Sequence, residues 1–186
     1  MSDGGIGTGK VVGNRAMSLD GFIAGPGHAM DWIAEYVPAD AFPEVMAATG
    51  AMLIGRGTYE VAKRMADQDT SYDGGAQFVL THKPPDEPDP TVTFLTCGLE
   101  EAVATARSAA GEKNLEILGA DVAAQCLQRE LVDEILVYVL PVLLGDGVRF
   151  APPGLDRIDL EPFSNVQSGG RGVSCLLYTS DAADEL

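Results

Sequence analysis

Short apolar runs alternate along the chain with segments in which apolar residues recur at helical spacing. The apolar runs predict strands at 10–24, 51–54, 77–85, 91–96, 115–118 and 134–144. The periodic segments predict helices at about 40–49, 58–66, 99–110 and 121–130. This alternation is typical of an α/β fold, here a three-layer sandwich around a mostly parallel central sheet. The last third of the chain, rich in strand and turn signals, is expected to pair antiparallel at one edge.

Residues at the segment ends support several of these boundaries. Asp40 is expected to cap the helix at 40–49 and Gly50 to end it, while Gly111 ends the helix at 99–110. The run at 51–54 is wholly apolar, which is typical of a strand buried in the middle of a parallel sheet.

The length of 186 residues predicts one domain with one sizeable core. We expect a flexible leader at 1–9, a single domain at 10–175 and an atypical acidic tail at 176–186. Residues 4–10 match half of a phosphate loop, but Val11 stands where that motif needs Ser or Thr, and no strand precedes it. The tail indicates that the native C-terminus is lost or replaced from about Leu176, and the alternative is a disordered acidic tail.

Composition narrows the class of protein. The longest apolar runs are shorter than the roughly 18 residues of a membrane span, and the first ten residues lack the apolar core of a signal peptide, so a cytoplasmic location is expected. The net charge of −16 argues against a nucleic-acid partner and makes each basic residue in a turn more informative. The three cysteines and two histidines show no metal-ligand spacing, so no metal site is expected.

The candidate chemistry lies in turns that follow predicted strands. Gly55 and Gly119 each join a strand to a helix, and residues 81–83 end another strand. A helix N-terminus after a glycine presents backbone amides and partial positive charge to a phosphate, and Arg56 adds a full charge. Two such turns predict a ligand with several phosphates, such as a dinucleotide. The alternative is that the glycines only make tight turns and Arg56 caps a surface. A G-x-G-x-x-G motif is absent, which disfavours an ordinary Rossmann domain.

Four stretches resemble, in order and spacing, the dihydrofolate reductase-like family. They are MSLDGFIAGP at 17–26, MLIGRGTYE at 52–60, FVLTH at 78–82 and LGADVAAQCLQRELVDEILVYVLPVLLGDGVRF at 118–150. The branch that they resemble includes the reductase domain of bacterial riboflavin synthesis. The resemblance implies NADPH as the cofactor and a mostly parallel sheet flanked by helices.

Carried over to matching positions, the resemblance implies three groups of cofactor contacts. The groups are Gly55, Arg56 and Thr58 at the phosphates; Leu80, Thr81 and His82 at the adenosine end, with Lys83 as a candidate for the 2′-phosphate; and Gly119, Ala120, Asp121 and Val122 beside the pyrophosphate and nicotinamide. Many relatives have Gly-Gly, with an often cis peptide, where this chain has Gly119-Ala120, and the added methyl group is expected to crowd the cofactor.

A pterin or pyrimidine substrate needs a carboxylate that hydrogen-bonds its amidine-like edge. Asp20 and Asp40 are the candidate catalytic residues, and the candidate substrate contacts are Asp20, Phe22, Trp32 and Asp40. Asp40 resembles the acid that precedes the Gly-Arg turn in true dihydrofolate reductases, and its alternative role is a helix cap. The alternative for Asp20 is a tight turn with Gly21, and that for Trp32 is core or lid packing.

These observations predict an NADPH-dependent reductase that transfers a hydride to a small heterocycle, such as a dihydropterin or a pyrimidine. One alternative is a riboflavin-biosynthesis 5-amino-6-(5-phosphoribosylamino)uracil reductase-type activity, for which the only further basic residues that stand out are Arg15 and Arg149. A second alternative is a non-catalytic dinucleotide-binding module. The apolar strand at 135–144 is a candidate homodimer interface, with burial in the core as its alternative.

Overall fold

The computed structural model describes residues 9–37, 43–65, 75–87, 89–167 and 173–180. Its centre is an eight-stranded sheet in the order β5-β4-β3-β6-β1-β7-β10-β9, and β2 and β8 form a separate two-stranded sheet. The strands are β1 (Val11–Ser18), β2 (Phe22–Ala24), β3 (Thr49–Gly55), β4 (Ala76–Leu80), β5 (Thr93–Leu95), β6 (Asn114–Leu118), β7 (Glu134–Leu140), β8 (Val148–Arg149), β9 (Leu160–Gln167) and β10 (Ser174–Ser180).

The six strands from β5 to β7 run parallel, and β10 pairs antiparallel with both β7 and β9. The predicted α/β fold, with a mostly parallel sheet and an antiparallel C-terminal edge, is therefore confirmed. In β3 Leu53 is completely buried, as expected for an apolar strand in the middle of a parallel sheet.

Helices cover both faces of the sheet, which gives the predicted three layers. Val11 and Val12, neighbours in β1, belong to different apolar clusters because successive side chains of a strand point to opposite faces. The cluster of Val11 contains residues of the helices Leu99–Ala110 and Asp121–Gln128. The cluster of Val12 contains Trp32 and Val45, which belong to helices on the opposite face of the sheet. The helices are α1 (Asp31–Ala34), α2 (Pro43–Ala48), α3 (Arg56–Met65), α4 (Leu99–Ala110) and α5 (Asp121–Gln128).

The expected single strand at 10–24 is wrong. β1 ends at Ser18, whose hydroxyl oxygen accepts a hydrogen bond from the Phe22 amide at 2.9 Å. Gly21, with φ of +90°, then turns the chain so that β2 leaves the central sheet and pairs with β8.

The expected helix at 40–49 is also corrected. Within the described residues α2 begins at Pro43 and ends at Ala48, while Thr49 and Gly50 already belong to β3. Asp40 lies outside the described residues. Gly50 is needed for packing rather than as a helix stop, because a Cβ there would overlap the carbonyl oxygen of Ala110 at the end of α4.

The last predicted strand and the expected end of the domain differ from the structure. β7 ends at Leu140, before Pro141, and it pairs with a strand on each side within the sheet. All of its side chains except that of Val139 are buried by the chain's own core. The strand β10 continues to Ser180, past the expected domain boundary at 175, and Leu177 within it is buried. Residues 1–8 of the expected leader and 181–186 of the expected tail lie outside the described residues. No helix in the described part of the chain is long and apolar enough to cross a membrane.

Candidate functional site

Two strand-to-helix turns contact each other at the carboxyl edge of the sheet. β3 and β6 are neighbours, with Ile54 opposite Leu118, so that their following helices α3 and α5 begin side by side. A Cβ at Gly55 would lie 3.0 Å from Val122 in α5, and a Cβ at Gly119 would overlap the Thr58 hydroxyl in α3. The two turns predicted from the sequence are therefore brought together. Gly119 is required for this contact, and a side chain at Gly55 would press on Val122.

The helix α3 begins at Arg56 rather than at the predicted Thr58, which places Thr58 inside the first turn. Its role is thus not that of an N-cap, because its side chain lies against Gly119. Gly57, between Arg56 and Thr58, borders open space, because a Cβ there would have no atom within 4 Å. The first-turn amides of α3, which have no partner inside the helix, are therefore not covered by a side chain at this position.

Arg56 joins this corner to the strand end at 81–83. Its Nε donates to Glu60 Oε1 at 2.7 Å, and its Nη1 donates to the Lys83 carbonyl oxygen at 2.8 Å. Both side chains of the Arg56–Glu60 pair are about half exposed, so the pair adds little stability. Arg56 is therefore a surface bridge whose Lys83 contact holds a second basic residue at the same corner, and its predicted contact with a cofactor phosphate stays a prediction.

The strand end after β4 is held by its own hydrogen bonds. Thr81 is buried, its amide donates to the Leu95 carbonyl oxygen at 2.9 Å, and its hydroxyl oxygen accepts from the Lys83 amide at 3.3 Å. Leu80, the last residue of β4, is half-buried, and His82 and Lys83 are exposed. Lys83 takes part in no ion pair among the described residues, so its ammonium group is available to a phosphate.

The turn before α5 also exposes backbone amides. Ala120 precedes the helix, and its amide has no acceptor among the residues that the structure describes. The Asp121 carboxylate accepts from Gln125 Nε2 at 3.2 Å on the outside of α5. Unlike the often cis peptide implied by the resemblance, the Gly119–Ala120 peptide is trans. Above the same turn, Arg15 of β1 donates from Nη1 to the Gly119 carbonyl oxygen.

Asp20 lies in the turn between β1 and β2, where its carboxylate accepts three hydrogen bonds. Oδ1 accepts from the Ser18 hydroxyl at 2.6 Å and from the Leu144 amide at 3.1 Å, and Oδ2 accepts from the Gly145 amide at 2.7 Å. The hydrogen bond from Ser18, followed by those from the two amides, lowers the pKa of Asp20 to about 2. The carboxylate thus stays ionised at neutral pH and ties the end of β1 to the loop after β7.

The two aromatic residues expected to contact substrate are both buried. Trp32 is 8% exposed, packs in the core beside Val45, and donates from Nε1 to the Ala29 carbonyl oxygen at 3.2 Å. Phe22 is 5% exposed, and the Arg149 guanidinium lies 4.7 Å from its ring centre. The structure therefore supports the core-packing alternative for Trp32, and it places the Arg149 guanidinium over the Phe22 ring.

A cavity of about 240 Å³, open to solvent on one side, lies between the loop before α1 and the C-terminal half of α3. The sequence analysis did not identify the residues of α3 that line this cavity. The helical spacing of Val61, Arg64 and Met65 could have indicated that they share one face of the helix. At a rise of 1.5 Å per residue, Arg64 lies about 12 Å along α3 from Arg56 at the phosphate corner. The cavity combines charged and apolar walls and is lined by Gly27, His28, Ala29, Met30, Asp31, Val61, Arg64 and Met65.

Comparison with known proteins agrees with this architecture. The chain is 28% identical over 141 residues to the protein YwjB of Bacillus subtilis (strain 168), which covers 75% of this chain and 80% of YwjB. A solved structure from Shewanella sp. PV-4, whose name assigns it provisionally to riboflavin biosynthesis, matches with a TM-score of 0.78 and 23% identity, over 92% of this chain and 99% of that one.

Dihydrofolate reductase from Enterococcus faecalis, solved with NADP(H) and RAB-propyl, matches with a TM-score of 0.65 and 17% identity. This match covers 94% of the present chain and 98% of the enzyme. At these identities the structural matches show the shared fold. The family model of the RibD C-terminal domain matches residues 9–173, and the chain therefore belongs to the RibD C-terminal domain family, a dihydrofolate reductase-like family of NADPH-dependent reductases.

Proposed function

We propose that this protein is an NADPH-dependent reductase that transfers a hydride to a small heterocycle, a dihydropterin or a pyrimidine. The observation that carries the proposal is the contact between the two glycine turns, Gly55 to Val122 and Thr58 to Gly119. It brings two helix N-termini to one corner of the sheet. Two such termini, each with unpaired amides and partial positive charge, suit the two phosphates of a dinucleotide.

The groups at this corner fit an NADPH molecule. The open face beside Gly57 and the unpaired Ala120 amide supply backbone donors for the diphosphate. Lys83, held beside Arg56 through its carbonyl oxygen, supplies a charge for the 2′-phosphate. When bound, NADPH supplies the hydride, and the protein supplies binding, orientation and the exclusion of water.

The cavity beside α3 is the proposed substrate site. Met30 and Met65 offer adaptable apolar walls to a flat ring, and Asp31, His28 and Arg64 offer polar contacts at its rim. Asp20 is proposed to hold the β1–β2 turn through its hydrogen bonds. Because its carboxylate remains ionised, it does not donate the proton that the reduced ring takes up. His28 and Asp31 line the proposed substrate site and are the candidates for polar contact with the reacting ring, and the predicted role of Asp40 remains part of the proposal.

A second candidate is a reductase for a pyrimidine that carries a ribose phosphate. His28 and Arg64 in the cavity provide the further basic groups that sequence reasoning did not find. A phosphate at this position would lie near Arg64, about 12 Å along α3 from the cofactor phosphates. The name of the Shewanella relative points in the same direction for that protein.

The test is an NADPH oxidation assay with matched substrates. The purified protein is mixed with NADPH and, separately, a dihydropterin, an aminopyrimidinedione and the ribose-phosphate form of the latter, and the loss of reduced-nicotinamide absorbance is followed. Turnover with one of these compounds, abolished when NADPH is omitted, is the expected result. Tight NADPH binding without turnover of any of them would favour the non-catalytic dinucleotide-binding module.

A further inference from the structure

Arg15 lies in the middle of β1 and forms an ion pair with no carboxylate among the described residues. It is 8% exposed and lies on the face of β1 that packs toward α5. Among the described residues, its Nη1 donates to the Gly119 carbonyl oxygen, and its guanidinium carbon lies 5.2 Å from the centre of the Phe150 ring. Its Nε is buried and donates to no acceptor among the described residues.

Other arginines of the chain show the contrast. Arg56, Arg129 and Arg157 are exposed or half-exposed, and each pairs with a carboxylate: Glu60, Glu100 and Asp159, respectively. Arg64, Arg107 and Arg149 also pair with no carboxylate among the described residues, but none of them is buried. In a chain with 28 acidic residues and 12 lysines and arginines, Arg15 is therefore the described arginine whose charge is both buried and unpaired. A buried charge without a counter-ion is unfavourable for folding, so the folded protein carries this arginine at a cost.

Nearby groups do not offset that charge. A charge on Cys126 of α5 would raise the pKa of Arg15, but burial raises the pKa of that thiol to about 12, so it is neutral at physiological pH. Burial also lowers the pKa of Arg15, to about 10, which leaves the guanidinium protonated at neutral pH. The positive charge therefore persists in the interior, directly behind the Gly119–Ala120 peptide.

We propose that Arg15 is a positioning residue for the diphosphate of the dinucleotide, acting through the Gly119–Ala120 peptide. In a trans peptide the carbonyl oxygen and the amide hydrogen point in opposite directions. The Arg15 guanidinium holds the Gly119 carbonyl toward β1, and this orientation directs the unpaired Ala120 amide away from β1, toward the corner between the two helices. A cation bound to the carbonyl also polarises the peptide and strengthens its amide as a donor.

Thr58 of α3 confines Gly119 from the side opposite to Arg15. Its hydroxyl lies where a side chain at residue 119 would be, so that Gly119 is fixed between Arg15 on one side and Thr58 on the other. The diphosphate that binds here then provides the counter-charge that Arg15 lacks. This inference rests on the proposed dinucleotide binding, and it assigns Arg15 to the part of the ligand that NADPH and NADH share.

The experiment compares Arg15→Met and Arg15→Lys with the wild type. Isothermal titration calorimetry gives the dissociation constants of NADPH and NADH, and circular dichroism gives the melting temperature without ligand. We expect Arg15→Met to weaken both cofactors about tenfold with an unchanged NADPH/NADH ratio, while its melting temperature without ligand stays equal or rises, because an unpaired buried charge is replaced by an apolar side chain. Arg15→Lys, which keeps the charge but not the planar donor, should show a smaller loss of both cofactors.

The matched control is Arg107→Met. Arg107 also donates to backbone carbonyl oxygens, those of Gly9 and Gly111, but at the opposite end of the sheet. This variant should bind both cofactors as the wild type does, within twofold, and melt at a lower temperature.

The outcomes separate this inference from the proposed function. Cofactor binding by folded Arg15→Met within twofold of the wild type, or a loss confined to NADPH, would overturn the role of Arg15 and leave the proposed function intact. If Arg15→Met does not fold, the same criterion applies to Arg15→Lys. If the wild type binds neither cofactor, the proposed function fails. The role of Arg15 is then tested with sodium pyrophosphate in place of the cofactor. Pyrophosphate should raise the melting temperature of the wild type more than that of Arg15→Lys. An equal shift in the two proteins, or no shift in either, would overturn the role of Arg15.

Discussion

The Thr58 hydroxyl occupies the space that a side chain at residue 119 would need, so that α3 and the turn before α5 are in direct contact through Thr58 and Gly119. Positions 58 and 119 are 61 residues apart in the chain, so this contact joins two distant segments. It also defines the corner at which both helices present their first-turn amides. The proposed cofactor site depends on this one close approach.

Gly119→Ala should disrupt the corner. Gly119 has φ of +90°, which disfavours any L side chain, and the added Cβ would overlap the Thr58 hydroxyl. Together these effects are expected to lower the free energy of unfolding by about 2–4 kcal/mol and to weaken NADPH binding. Urea denaturation and calorimetric titration measure the two effects.

Gly154→Ala is the matched control for that substitution. Gly154 also has φ of +90°, but a Cβ there would meet no atom within 4 Å. Its loss of stability therefore reports the backbone strain alone, about 1 kcal/mol. If the two variants lose equal stability, the Thr58 contact is not tight and the description of the corner is wrong.

Lys83→Ala should reduce NADPH affinity more than NADH affinity. The Lys83 ammonium is proposed to contact the 2′-phosphate, which NADH lacks, and a charged hydrogen bond of this kind is worth about 1.5–3 kcal/mol. Dissociation constants of both cofactors for both proteins provide the measurement. Equal losses for the two cofactors would show that Lys83 does not read the 2′-phosphate.

Glu60→Ala tests the surface bridge at the same corner. Glu60 pairs with Arg56 at 2.7 Å, and its negative charge competes with a cofactor phosphate for that guanidinium. Removal of the carboxylate should leave stability nearly unchanged, within about 0.5 kcal/mol, and should strengthen NADPH binding. Weaker binding in Glu60→Ala would mean that Arg56 needs Glu60 to hold it in place.

Asp20→Asn should change stability with a defined pH dependence. Because hydrogen bonds lower the pKa of Asp20 from its ordinary value of 3.8 to about 2, its ionised form stabilises the folded protein above pH 3.8, and this contribution is lost as the pH falls from 3.8 through 2. The wild type should therefore lose more of its stability across that range than Asp20→Asn does. Melting temperatures from pH 7 to pH 2 measure the difference.

The same variant separates a positioning role from an acid role. If Asp20 holds the turn, the pH dependence of turnover above pH 4 should keep its shape in Asp20→Asn while the rate falls. Loss of a limb of the pH profile in the variant would instead identify Asp20 as the proton donor.

Arg64→Ala should affect the substrate and not the cofactor. Arg64 lines the cavity about 12 Å along α3 from the phosphate corner, so its loss should raise the KM for a heterocyclic substrate several-fold and leave NADPH affinity unchanged. Arg157→Ala, which removes an exposed arginine paired with Asp159, is the control. An unchanged KM would place the substrate elsewhere.

Local sequence signals predicted most of the fold because they are read within one segment. The helix at 99–110 was predicted from its periodicity and from Gly111, which indeed ends α4 with φ of +65°. Gly50 was misread because its role is a contact with Ala110, which lies 60 residues further along the chain. A local pattern carries no information about such an approach, and a helix stop and a packing glycine look the same in sequence.

The site was predictable only in part for the same reason. The glycine turns at Gly55 and Gly119 have a local signature, and the structure places them together because β3 and β6 are neighbours. Arg64 escaped notice because it acquires its cavity only when the loop at 27–31 folds against α3. Arg15 stood out in the sequence as a basic residue for a ribose phosphate but not as a partner of the Gly119 turn, because its contacts with Gly119 and Phe150 form only in the folded chain. Burial of a charge is a tertiary property, and the alternation of residues in β1 does not reveal it.

The most direct test of the account is a calorimetric titration of the wild-type protein with NADPH and with NADH under the same conditions. The corner formed by the two helix N-termini, with Lys83 beside it, predicts micromolar binding of NADPH and weaker binding of NADH. No binding of either dinucleotide by the folded protein would contradict the central claim that this corner is a cofactor site.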